Sequence, residues 1–176
     1  KIEKLMAMEA PRTVGEIKTF IGKTGYYRRF IENYSAIMHP IRQLELKYKT
    51  PSVSIVEEWE SDPKYQRSFE AIRSAMANAP VLKAPDFTKP WVILTGCSDY
   101  QMGYILCQMS DEGVEHPVCY GSSPLTDTQK DYGISDKESL ALMTALDTWR
   151  HYVIDSHIIA ITDHASTTTL LSKRNL

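Results

Sequence analysis

The spacing of apolar residues along the 176-residue chain changes once, from a helical period to a strand period. In the first third, Thr13-Val14-Gly15-Glu16 has the form of a capping box. Ile17, Phe20 and Ile21 follow it at helical intervals. Gly25 allows a turn. Tyr26-Tyr27-Arg28-Arg29-Phe30-Ile31 predicts a second short helix, and Ser35 to about Leu46 a third, with Pro40 near its first turn. Helices this short do not bury an apolar face alone, so they are expected to pack on one another or on a neighbour. Residues 47–64 are polar and predict linker and loop, with the acidic run from Glu57 to Asp62 as a solvated stretch. Tyr65 to Met76 returns to helical spacing through Phe69, Ile72 and Met76. Pro85-Asp86 then signals a turn.

From about Lys89 the pattern becomes that of strands. Trp91 to Cys97 is the first, Gly103 to Met109 the second, and Val118-Cys119-Tyr120 the centre of a third. Asp111-Glu112-Gly113 is a hairpin turn between the second and third. Ser135 opens a strong helix with Leu142, Met143, Leu146, Trp149 and Val153 on one stripe. Ile158 to Thr162 is a fourth strand, and Ala165 to Leu171 a short helix. Three hairpin-linked strands, a helix and a further strand predict an α/β fold with a mixed sheet and packed helices.

Composition narrows the class. Hydrophobic residues are 43% and charged residues 24%, as in an ordinary globular protein of one domain or two small ones. Three cysteines without CxxC spacing make neither a disulfide framework nor a zinc site. Buried thiols in a reducing intracellular compartment, cytoplasm or nucleus, are the expectation. No apolar run approaches the ~20 residues that span a bilayer. The start, Lys1-Ile2-Glu3-Lys4, has no signal-peptide pattern and no initiator Met, so the chain is expected to be cut from something longer. The net charge is −2, but it is unevenly placed. Residues 1–50 hold ten Lys/Arg against five Asp/Glu, a net +5, and residues 51–176 carry −7. Within the basic part, Lys18, Lys23, Tyr26, Tyr27, Arg28 and Arg29 form a candidate nucleic-acid surface, with cations for phosphates and rings for sugars or bases. On the structural alternative, Tyr26, Phe30 and Ile31 belong to the core and the arginines solvate the helix.

Several motifs resemble those of one family. Thr95-Gly96-Cys97-Ser98-Asp99, Gly103 and Leu106-Cys107-Gln108 resemble the TDASxxGxGxxLxQ opening of the ribonuclease H domain in gypsy-type LTR-retrotransposon polyproteins. His116-Pro117-Val118-Cys119-Tyr120, Leu125-Thr126, Tyr132, Lys137-Glu138, Leu140-Ala141 and Thr162-Asp163-His164 follow in that family's order. Upstream, Phe20-Ile21-Gly22 and Gly25-Tyr26-Tyr27-Arg28-Arg29-Phe30-Ile31 resemble the thumb of its reverse transcriptase. The resemblance implies a helical thumb-like segment at 1–50, a connection with one helix at 51–88, and a ribonuclease H-like domain at 89–176 that is incomplete at its C-terminus. It implies no polymerase active site in this chain.

Family chemistry is phosphodiester hydrolysis by two Mg²⁺ ions held on carboxylates, and the substrate is an RNA/DNA hybrid. The resemblance implies four carboxylates. One matches Glu138 on the helix and one matches Asp163 after the fourth strand. The first-strand Asp falls on Gly96, and the fourth lies beyond Leu176. Glu138 and Asp163 are therefore a remnant that would hold Mg²⁺ weakly, if at all. Asp99 is three residues from Gly96, so strand alternation turns it to the other face and roughly 10 Å away. Structural alternatives stand beside these roles. Ser135-Asp136-Lys137-Glu138 reads as a capping box that would occupy Glu138, and Asp163 suits a cap or turn. Three functions follow, in order of preference. The first is a retroelement fragment with a degenerate nuclease site that keeps nucleic-acid contact and scaffold roles. The second is a host-adopted protein-interaction module, with a protein partner or self-association. The third is an active nuclease. No membrane partner is expected.

Overall fold

The computed structural model describes residues 7–78, 82 and 84–162. The chain divides into two compact units, Lys1–Pro80 and Val81–Leu176.

The first unit is helical. Helix α1 spans Val14–Gly25, α2 Tyr34–Lys47, α3 Val56–Ser61 and α4 Pro63–Ala77. Thr13 caps α1 by accepting the Glu16 N–H at 3.2 Å. Glu16 reaches back one residue further than a simple capping box does, accepting the Arg12 N–H at 2.7 Å. The second expected helix is only a single 3-10 turn, Arg28–Phe30. Asn33 at φ 53° then redirects the chain into α2. Pro40 lies in the interior of α2, past its first turn. There it cannot donate the usual bond to the carbonyl four residues back.

The polar stretch 47–64, expected as linker and loop, contains α3. Its Trp59 is buried, and Asp62 caps α4 by accepting the Lys64 N–H at 3.0 Å. One aromatic residue in an acidic run was enough to anchor a helix, because its ring packs edge-on against Phe69 and stacks on Tyr65. The core joins Val14, Ile17 and Phe20 of α1 to Met38, Ile41 and Leu44 of α2 and to Phe69, Ile72 and Met76 of α4. The segment 51–88, expected as one connection, is thus divided. Its helices α3 and α4 complete the core of the first unit, and the residues from Val81 belong to the second.

The second unit is α/β. Its strands are β1 Trp91–Cys97, β2 Gln101–Met109, β3 Glu115–Pro124 and β4 Ile158–Thr162. Its helices are α5 Asp127–Lys130, α6 Ile134–Thr148 and α7 Arg150–Val153. Among the described residues the sheet has the order β3-β2-β1-β4, antiparallel except where β4 runs parallel to β1. Helix α6 makes the crossover that parallel strands require. It buries Ala141, Leu142 and Ala145 against a core that includes Trp91, Ile93, Tyr104 and Leu106. Met143, expected on the buried stripe, is exposed, because the helix turns its Ala141, Leu142 and Ala145 face to the sheet. The stripe also does not run on to Val153 in one helix. Trp149 ends α6, its ring packed edge-on against Tyr104 at 5.1 Å, and Val153 sits on α7. The helix expected at 165–171 lies outside the described residues, as do Asp163 and His164.

Candidate functional site

Two regions carry chemistry, one in each unit. In the second unit, the C-terminal ends of β1 and β4 lie side by side, with Thr95 paired to Thr162. Gly96 pairs with Gly103 on β2. Glu138 meets the backbone at the end of β1. It reaches from α6, and its Oε1 accepts the Cys97 N–H at 3.0 Å while its Oε2 accepts from the Thr162 hydroxyl at 3.5 Å. The carboxylate is buried between the peptide that follows Gly96 and the residue that precedes Asp163. Burial raises the Cys97 thiol pKa, and the nearby Glu138 charge raises it further.

The capping box read at Ser135 is not formed. Gly133 is the N-cap, with no side-chain cap, and α6 starts one residue before Ser135. That shift puts Glu138 beyond the first turn, where its side chain meets the sheet instead of its own helix end. Lys137, its buried neighbour, was not singled out by sequence. Its Nζ lies 3.4 Å from Asp99 Oδ1, and Asp99 is fully exposed. Asp99 therefore faces Lys137 and does not converge on Glu138. Among the described residues, a Cβ at Gly96 would meet nothing within 4 Å.

A pair of Mg²⁺ ions needs several converging oxygen ligands. Among the described residues no group of three His, Cys, Asp or Glu side chains converges, and Glu138 already accepts two hydrogen bonds. Of the two carboxylates expected to hold Mg²⁺, Glu138 lies among the described residues and Asp163 outside them.

In the first unit, Lys18, Lys23, Arg28 and Arg29 are exposed, and Tyr26 is 77% exposed. Tyr26 is therefore not a core residue. Its ring stands edge-on to Tyr27 at 5.1 Å. Tyr27 is half-buried against the helical core, and the Arg29 guanidinium lies 5.0 Å from the Phe30 ring centre. Ile31 is buried. Lys18, Gly22 and Tyr26 recur at intervals of four, which places them on one side of α1. Among the described residues, a Cβ at Gly22 would also meet nothing within 4 Å, which leaves the helix backbone open to them at that point.

The sheet order and the crossover helix define a ribonuclease H-like α/β unit, which follows a helical unit along the chain. Residues 61–160 match the model of the RNase H-like domain found in reverse transcriptase, and the chain belongs to that family. It is 33% identical over 180 residues to the retrovirus-related Pol polyprotein from transposon opus of Drosophila melanogaster, covering 99% of this chain and 18% of that protein. Identity to the transposon Tf2-3 polyprotein of Schizosaccharomyces pombe is 33% over 152 residues, covering 86% of this chain and 11% of that protein. The chain thus spans under a fifth of these relatives. Its fold matches part of the foamy viral protease-reverse transcriptase. The structure of the dRH form with double-stranded DNA matches at TM-score 0.81 and 22% identity, covering 97% of this chain and 29% of that one. The complex with an RNA/DNA hybrid matches at 0.79 and 21%, covering 98% and 22%. The chain is a retrotransposon reverse transcriptase/ribonuclease H-like segment.

Proposed function

We propose that this segment comes from a gypsy-type LTR retrotransposon and has a degenerate, inactive nuclease site, while its thumb-like helices contact nucleic acid. The observation that carries the first part is Gly96. It stands where the family's first-strand carboxylate is expected, and Glu138 is engaged by the Cys97 N–H and the Thr162 hydroxyl. Without a carboxylate at Gly96, the two-ion clamp that activates water and stabilises the leaving oxygen lacks its first-strand ligand. The acidic charge of residues 51–176 also opposes a hybrid near this end of the chain.

Nucleic-acid contact is supported by the α1 face. Lys18 and Lys23 offer cations, the open backbone at Gly22 allows a duplex to come close, and the exposed Tyr26 ring gives a flat apolar contact. Arg28 and Arg29 extend the positive surface beyond the helix end. Solved structures with the same fold hold double-stranded DNA and an RNA/DNA hybrid.

One experiment tests each part. In a longer piece of the parent polyprotein, Gly96→Asp is expected to produce Mg²⁺-dependent cleavage of the RNA strand of a hybrid, with none before the change. Cleavage by the unaltered chain would overturn the inactive reading. Duplex binding is expected to weaken with salt, log K falling by about 0.9 per phosphate contact per decade. Lys18→Gln with Lys23→Gln should reduce that slope by about two such contacts. An unchanged slope would remove α1 from the interface.

A further inference from the structure

We propose that residues 85–90 form a strap latched onto the sheet by Gln108. Its release, as one piece, lengthens the chain that joins α4 to β1. The strap lies just ahead of β1 and is neither helix nor strand. Pro85 and Pro90 bracket it, and neither has a backbone N–H to donate to a ladder. Gln108 of β2 supplies the hold instead, and it is fully buried. Its Oε1 accepts the Asp86 N–H at 2.9 Å, and its Nε2 donates to the Asp86 carbonyl at 2.7 Å. One side-chain amide thus satisfies both backbone groups of one residue, as a neighbouring strand would. Asp86 in turn folds the strap on itself. Its Oδ1 accepts the Thr88 N–H at 3.0 Å and the Thr88 hydroxyl at 2.7 Å, and its carbonyl accepts the Lys89 N–H at 3.2 Å. These bonds lie within the strap, so they hold it together as it leaves the sheet.

The other contacts of the strap are weak. Lys89 Nζ meets Asp111 at 2.5 Å, but Asp111 is 88% exposed, which makes this a surface pair. The Phe87 ring stacks on Tyr152 at 6.3 Å and stands edge-on to Trp91 at 5.9 Å, yet Phe87 is 62% exposed. The sheet itself carries the core of the second unit. Segments that bury little open at lower free energy than the core they lie on. When the strap lifts, water reaches Gln108 and replaces Asp86 as its partner. Six released residues, fully extended, add roughly 20 Å of reach between α4 and β1.

Hydrogen exchange followed by mass spectrometry on the full chain reads the strap and the sheet separately. In the unaltered chain, residues 85–90 are expected to exchange more slowly than an unstructured peptide and faster than β1 and β2. Gln108→Met keeps the side-chain length and removes both hydrogen bonds, so strap exchange should rise about tenfold while β1 and β2 stay as they were. Phe87→Ala with Lys89→Gln alters exposed side chains only, which keeps the test open if the buried substitution fails to fold. It should speed strap exchange about threefold. Gln108→Met combined with Phe87→Ala is expected to hold the strap open, and small-angle scattering should then show a larger maximum dimension than the unaltered chain. Strap exchange unchanged in these variants would overturn the proposal. So would equal acceleration of the strap, β1 and β2, which would mean that they open together, or an unchanged maximum dimension in the combined variant.

Discussion

Two glycines in the same sheet show how differently a missing side chain can matter. Gly96 sits near the end of β1, and a Cβ there would touch none of the described residues within 4 Å. Gly121 sits within β3, opposite Tyr104, and a Cβ there would fall 2.1 Å from the Tyr104 ring. Tyr104 occupies that space because Gly121 leaves it free. Its ring meets Trp149 edge-on at 5.1 Å, and its hydroxyl hydrogen-bonds Ser123 at 3.1 Å. At Gly121 the absence of a side chain is part of the packing. At Gly96 a side chain would disturb none of the described residues. On the proposed reading, a ribonuclease H-like sheet loses its reaction at this one position without losing a contact among those residues.

The largest effect is expected at Gly121. Gly121→Ala forces a buried aromatic ring out of a packed site and should cost about 3 kcal/mol, near the upper end for overpacking. Denaturant unfolding measures it. Combined with Tyr104→Ala, the added methyl no longer meets a ring, so the pair should cost less than the sum of the single changes. Strict additivity would show that Gly121 is required for some reason other than Tyr104.

The strands and main helices were legible in the sequence because their apolar periods are long and regular. Trp91 to Cys97 and Ile158 to Thr162 occupy the expected residues, and α6 begins within one residue of the predicted start. What was not legible depended on distant partners. Trp59 turns an acidic stretch into a helix only through contacts with Tyr65 and Phe69, which local polarity does not reveal. Glu138 fits a capping pattern from Ser135, yet the N–H it accepts from belongs to Cys97, 41 residues away. Tyr26 and Ile31 share one aromatic and basic motif, and only the packing of α1 and α2 decides that the first is exposed and the second buried. The candidate site was therefore readable in its residue types. The use each residue is put to was readable only from the register of β1 against β4.

The next effect in size tests whether Glu138 is now a structural residue. Glu138→Ala removes the carboxylate that accepts the part-buried Cys97 N–H. It should destabilise the chain by about 2 kcal/mol, whereas Glu138→Gln keeps one acceptor oxygen and should cost less. A neutral or stabilising Glu138→Ala would mean that the carboxylate is strained in place for chemistry, which would undo the contrast with Gly121. The Gln variant also has a signature in pH. The Glu138 charge helps to raise the Cys97 pKa, so removing it should lower that pKa and increase the thiolate fraction at a given pH. Alkylation of Cys97 at mildly alkaline pH should be faster in Glu138→Gln than in the unaltered chain. Equal rates would place the charge too far from β1 to act there.

The smallest effect has the opposite sign and bears on the comparison most directly. Glycine in a strand interior gives up more backbone freedom on folding than alanine does, a difference of roughly 0.5–1 kcal/mol. At Gly96 the backbone does not need a positive φ, and the added methyl meets none of the described residues. Gly96→Ala should therefore stabilise the chain by about 0.5 kcal/mol, seen as a small rise in denaturation midpoint with an unchanged slope. The same substitution at Gly121 destabilises. If Gly96→Ala also destabilised the chain, something the described residues do not include would have to fill the opening. Gly96 would then be a packing requirement like Gly121, not simply a lost ligand.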